Sequence, residues 1–323
     1  MCGGTVCFLC AEEHEELTRE HVVPGWVLNR FSLYDRLVAL PNGTFLPYRS
    51  YVVPCCLACN QLLSRELETP ISEAFGEGID GVEKFLTSGN GARLFTWLAL
   101  IFIKMHYKDA FLLLDRDRRS STGSIAKELE YDWGEMHHAY CLARSVFSKA
   151  ALDSKALGSL AVFSILEEPE ERESFDLGDV TFANTFSIRL GGVGVIACFG
   201  DGGAVLYKLS QLFLKDICGR LAFPQFRELV AHFACCRLHL KNPPEFSTLL
   251  DGAGSEVSIS CTKRDPEPEF YELDKGIFGG LMERILYDST KGMVDVPDYY
   301  NRLVKGDISF LFADDGEFIN YEK

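Results

Sequence analysis

The 323-residue sequence predicts an α+β protein in two parts: a small cysteine-rich module over residues 1–88 and a larger α+β domain over residues 89–323. Three observations predict it. Six of the twelve cysteines fall within the first 60 residues, in irregular text with only short apolar runs. A break at Ser88-Gly89-Asn90-Gly91 is then followed by the long apolar stretch ARLFTWLALIFIKMHYKDAFLLL. Beyond it, helical and hairpin-patterned runs follow one another without the alternation of βαβ units.

The N-terminal module cannot bury enough apolar surface to hold itself together, and segments of this kind rely on a metal or disulfide staple. Its one apparent helix begins at Asn60 and runs NQLLSRELE. The stretch after the break is too apolar for a surface helix and is expected in the core. Asp115 to Ser124 is a polar turn, and a second helix runs from Ile125 into the 140s, interrupted by Gly134. Strands are expected at Leu160–Leu166, Thr181–Leu190 and Val193–Phe199, the last two joined as a hairpin by Gly191-Gly192. Helices follow at Leu206–Leu221 and Gln225–Leu240, the second opened by Pro224. Short strands at Val257–Cys261 and Ile308–Phe312 and a helix around Gly280–Tyr287 complete the chain.

Charge and composition narrow the function. With 32 Lys+Arg against 47 Asp+Glu the net charge is −15, so the molecule as a whole is repelled by nucleic-acid backbones and anionic membranes. A local basic groove or a bound metal still admits a phosphate. The longest unbroken apolar run, Trp97 to Ile103, is far shorter than the roughly 20 residues of a membrane span. The start lacks a cationic segment and runs into AEEHEE, so no secretory signal is expected. Twelve cysteines without such a signal point to a reducing compartment, by default the cytoplasm, with thiols free or bound to metal.

Cys7-x2-Cys10 and Cys56-x2-Cys59 are two pairs with the spacing that lets both thiolates of a knuckle reach one tetrahedral ion. Together they complete a structural Zn2+ site of four thiolates. Cys55 could replace Cys56, although the regular spacing favours Cys56. Between the knuckles stands Arg19-Glu20-His21-Val22-Val23-Pro24, and Asn60 follows the last cysteine at the start of its helix.

This order of elements, CxxC, EHxxP and CxxCN over about residues 5 to 70, resembles the HNH nucleases of the ββα-metal fold. The resemblance implies a metal-dependent endonuclease, with DNA favoured over RNA. It implies His21 as general base and Glu20 and Asn60 as ligands of a catalytic Mg2+ or Mn2+. Such chemistry is what phosphodiester hydrolysis needs: a base for the water and a cation for the oxyanion. Histidine titrates near neutrality, and carboxylate and amide oxygens suit a hard cation that keeps waters for substrate. The family's middle Asn, which orients the histidine, is replaced by the segment Arg49-Ser50-Tyr51-Val52-Val53. The alternative is a catalytically inactive zinc-binding interaction or assembly subunit, consistent with that missing Asn and with the acidic charge. Family members are common in bacterial anti-phage systems, so the resemblance also implies a defence role.

Other residues carry weaker expectations. Arg19, Arg30, Arg49 and Arg65 either line a phosphate track or are scattered surface charges. Glu68 is expected as an internal salt-bridge partner, two turns from Asn60. His137-His138 are expected as surface or core packing residues, Cys235-Cys236 as buried thiols, and the acidic run at residues 167–171 as a solvated loop. Gly192-x-Gly194-x-x-Ala197 matches a dinucleotide fingerprint only by letters, because it lies within a strand. With five Arg and no Lys in residues 1 to 70, the chain is expected to rely on a protein partner or self-assembly through residues 89–323 to reach nucleic acid.

Overall fold

A computed structural model describes residues 5–115, 122–167, 169, 174–290 and 297–322. The chain divides into two compact units, residues 1–152 with 248–259, and residues 153–247 with 260–323. An expected boundary at 88/89 is therefore displaced. Its physical cause is the apolar helix after the break, which packs with the N-terminal elements and supplies their core.

Unit 1 opens with β1 (Thr18–His21), α1 (Gly25–Arg30), the hairpin of β2 (Leu37–Ala39) and β3 (Phe45–Pro47), β4 (Val52–Cys55) and α2 (Leu57–Leu63). β1 and β4 pair antiparallel, with Glu20 opposite Val53 and His21 opposite Val52. One α-helical path then continues through a widened π turn at Ser64–Glu68 into α3 (Thr69–Gly76). Pro70 accounts for the widening, because it has no N–H to give to the carbonyl four residues back. Leu63, Leu67, Ile71 and Phe75 form one buried stripe along this path. After α4 (Gly78–Phe85), Gly89 takes φ 85° and turns the chain into α5 (Gly91–Asp109). This is the expected core helix: every residue from Leu94 to Lys104 is buried, and Trp97 stacks on Trp26 at 6.1 Å between ring centroids.

The expected second helix is two, α6 (Ile125–Glu128) and α7 (Trp133–Ser148). Glu130 breaks it with φ 51°, and Asp132 caps the restart by accepting from Glu135 N at 3.1 Å,. Gly134 therefore sits in the first turn of α7 and not at the interruption. Unit 1 closes with β5 (Ala151–Leu152).

Unit 2 is built on an antiparallel sheet of order β6-β9-β8-β7, made of β6 (Ser159–Ser164), β7 (Phe175–Val180), β8 (Thr185–Leu190) and β9 (Val193–Cys198). The β8–β9 hairpin turns at Gly191-Gly192 as expected, while β7 was not foreseen. Glu168, Glu170 and Glu171 of the acidic run lie outside the described residues. Next come α8 (Ala204–Leu212) and α9 (Phe223–Leu238). α8 stops nine residues short of the expected end, where Phe213 leaves the helical region with φ −158° and its ring packs on His232 and Phe312.

The hairpin strands β10 (Glu245–Leu250) and β11 (Glu256–Lys263) follow, and in unit 1 Ser258 and Ile259 pair in parallel with Ala151 and Leu152. The chain ends with α10 (Lys275–Thr290), α11 (Pro297–Val304) and an irregular segment. An expected strand at Ile308–Phe312 is absent. Glu228 of α9 accepts from Phe310 N and Leu311 N instead, so a side chain satisfies the backbone donors that a ladder would have taken,. Among the described residues no helix is long and apolar enough to cross a membrane.

Gly194 explains the rejected glycine pattern. A Cβ there would lie 2.6 Å from Phe226 Cε2 and 2.9 Å from Ile165 Cδ1, so α9 sits on β9 only because the side chain is missing. Gly194→Val is expected to destabilise unit 2 by about 1–3 kcal/mol through overpacking. Urea unfolding measures it, and an unchanged midpoint would refute the close approach.

Candidate functional site

The first knuckle is a tight turn closed by Ala11 N donating to Cys7 O at 2.9 Å, with Ala11 in the left-handed region at φ 62°. Phe8 N donates to Pro54 O at 3.0 Å and ties this turn to β4. The second knuckle is the start of α2, where Cys56 N donates to Cys7 Sγ at 3.3 Å and Cys59 N donates to Cys56 Sγ at 3.4 Å. The four Sγ atoms of Cys7, Cys10, Cys56 and Cys59 all lie within 4.8 Å of one another. Zinc at about 2.3 Å from each sulfur fits such a set.

The thiols depend on that cation. A hydrogen bond from Cys55 holds the Cys7 thiol low, at about 3. Burial pushes Cys10 up to about 11 and raises Cys59 further. A divalent ion reverses this penalty by pairing with every thiolate. Cys55 stands outside the ligand set and acts as a donor to Cys7, so the structure favours Cys56 as the ligand. One neighbour was missed from sequence: His14 Nε2 lies 3.4 Å from Cys10 Sγ. Cys10, Glu12 and His14 form a second convergence of ligand atoms sharing Cys10. The Cys10-x3-His14 spacing was the available signal.

Along β1 the side chains alternate. Thr18 and Glu20 share one face, and Arg19 and His21 the other. Asn60 Nδ2 donates to Thr18 Oγ1 at 3.1 Å, which fastens α2 against the Thr18–Glu20 face. His21 is half-buried and meets Tyr34 edge-on at 5.8 Å. Burial lowers its pKa; the Glu20 charge opposes this, while Lys104 and Arg19 add to it.

Glu20 is 7 % exposed, and its partner comes from α5: Lys104 Nζ donates to Glu20 Oε1 at 2.9 Å and to His21 O at 2.6 Å. The Lys104 side chain is fully buried. Glu68, at the end of the π turn, completes the cluster without a salt bridge of its own among the described residues, unlike the expectation. Its Oε1 is buried without a hydrogen bond. Burial pushes its pKa up to about 7, with Lys104 opposing and Glu20 adding to the rise.

A catalytic cation held by Glu20 and Asn60 is tested by this geometry, and Glu20 does not fit it. The Glu20 carboxylate already carries a buried ammonium, whose positive charge opposes a second cation. Asn60 bonds Thr18 through Nδ2, which leaves its Oδ1, the atom a cation would take, outside that bond. Among the described residues Glu20 joins no convergent group of three or more His, Cys, Asp or Glu ligands.

Of the two alternatives for the arginines, the structure favours scattered charges over a track. Arg30 donates to Phe75 O at 2.9 Å, Arg49 pairs with Asp35, and Arg65 pairs with Glu66 at 2.8 Å. Arg19 is exposed. His137 lies 3.5 Å from Cys141 Sγ on α7, and Cys235 and Cys236 are thiols that burial pushes up to about 11 and about 12. Compared with known protein families, curated proteins and solved structures, the chain matches none.

Metal analysis is expected to find about one zinc per chain, with Cys10→Ser or Cys59→Ser losing it and lowering the melting temperature of unit 1. Zinc-free protein with an intact N-terminus would refute the staple.

Glu68 sets a pH dependence. Its pKa is raised on folding, so the stability it contributes is fully present below about pH 4.5 and is lost as pH rises through about 7,. Glu68→Gln is expected to remove this loss and to be more stable than wild type at alkaline pH by about 1–3 kcal/mol. Denaturant titrations at acidic and alkaline pH check it, and an equal effect at both would overturn the assignment.

Proposed function

We propose that unit 1 is a zinc-stapled module of the HNH arrangement that serves as an interaction or assembly subunit and not as a catalytic centre. The observation that carries this reading is the buried Glu20–Lys104 pair. A carboxylate neutralised by a fixed ammonium is a poor ligand for Mg2+, and separating a buried pair is costly. Unit 2, the part of residues 89–323 that forms a compact body of its own, is the proposed docking surface for a protein partner or a second copy. The free thiols suit the reducing cytoplasm.

A second reading keeps the enzyme: a metal-dependent HNH endonuclease cutting DNA, with a place in anti-phage defence. The observation that favours it is the β1–β4 pair followed at once by α2, with half-buried His21 ending β1 and Asn60 fastened to Thr18. In that reading His21 accepts the proton, and Glu20 must exchange Lys104 for Mg2+ or Mn2+.

Plasmid nicking by zinc-loaded protein in Mg2+ or Mn2+ separates the two. No cleavage that depends on His21 is expected. Cleavage by wild type that disappears in His21→Ala would overturn the first reading and establish the second.

A further inference from the structure

Away from the zinc cluster, unit 1 has a cavity of about 340 Å³ between the π turn, the start of α5 and the end of α7. Leu62 and Leu152 are among its apolar walls, while Arg65, Arg93 and Lys149 stand around it, with Glu66 the one acidic residue among the described lining. Three cations against one carboxylate is a local reversal of sign in a chain of net charge −15. Arg65 and Glu66 pair at 2.8 Å, and Arg93 donates to Asn90 Oδ1 at 3.3 Å. Lys149 has no salt-bridge partner among the described residues.

Two of these cations stand where local preference would not put them. Arg93 lies in the first turn of α5, a turn without any acidic residue, where the helix dipole disfavours positive charge. Lys149 ends α7 with φ 57° and ψ 31°. The dipole at that end favours a cation, but the left-handed backbone favours glycine. Local rules broken together around one cavity are the mark of a site.

We infer that this cavity binds a phosphate group, carried by a nucleotide or by a nucleic-acid strand. Guanidinium forks and an ammonium from three separate elements suit phosphate oxygens, and the volume lies in the range of small-ligand sites. No aromatic residue is among the described residues that line it, so recognition falls on the phosphate and not on a stacked base. The inference does not depend on whether unit 1 cleaves anything.

The test is binding by the full zinc-loaded chain, measured by fluorescence anisotropy with a labelled single-stranded oligonucleotide, and by calorimetry with adenosine monophosphate and inorganic phosphate. Wild type is expected to bind at about 50 mM salt and to weaken steeply as salt rises. Lys149→Gly suits the backbone better than lysine, so it removes the charge without harming the fold. It is expected to weaken binding about tenfold and, with the oligonucleotide, to lower the salt slope by about 1. Arg93→Gln should act alike, and Lys149→Arg should retain binding. Oligonucleotide binding well above that of the monophosphate assigns the site to a strand, and comparable binding assigns it to a nucleotide; both support the inference. Absence of binding in every arm, or variants that bind like wild type, would overturn it.

Discussion

Unit 1 is organised by one buried ion pair. Lys104 reaches from the buried helix α5 to the penultimate residue of a four-residue strand and bonds both its carboxylate and the next carbonyl. Two charges removed from water this completely stay together only if the surrounding packing holds them in place. The pair thereby ties the cysteine-rich module to α5. It also leaves Glu68 without a salt bridge of its own among the described residues, and burial, opposed by Lys104, is the main reason that group holds a proton.

The zinc cluster and the ion pair divide the work of holding a segment too small for a core of its own. The four cysteines bring the first knuckle, where the chain makes only turns and a short bridge, onto the start of α2. The ion pair secures the middle, where β1 meets β4. Between them Asn60 links helix to strand through Thr18. An antiparallel strand pair followed at once by a helix is thus present, with Glu20 bound to Lys104 in holding the scaffold.

What the sequence made legible was local. Paired x2 cysteine spacings mark a knuckle without knowledge of the rest of the chain, and the run from Leu94 to Lys104 is apolar enough to be a core helix in any context. The partner of Glu20 lies 84 residues away and left no periodic trace, so a carboxylate beside a histidine looked available for metal. β7, with the sequence FDLGDV, has too many acidic and small residues to announce a strand, and it forms because β8 offers an unpaired edge. The opposite error occurred at Ile308–Phe312, whose apolar text suggests a strand but whose backbone donors are taken by Glu228. Cations gathered from three elements, such as those around Arg93, become neighbours only once the chain is folded.

The π turn at Ser64–Glu68 also fixes how the chain tolerates changes of length. Leu63, Leu67, Ile71 and Phe75 recur every four residues, whereas an α-helix returns every 3.6, so each step overshoots by about 40°. The widened turn absorbs that drift and lets all four reach the same core. Removal of a single residue from this turn would turn the following helix by about 100° and swing Ile71 and Phe75 toward water, although no buried side chain had been altered. In homologous chains, insertions and deletions should therefore avoid this turn, even though its outer surface carries exposed Ser64 and Arg65 and would otherwise accept them.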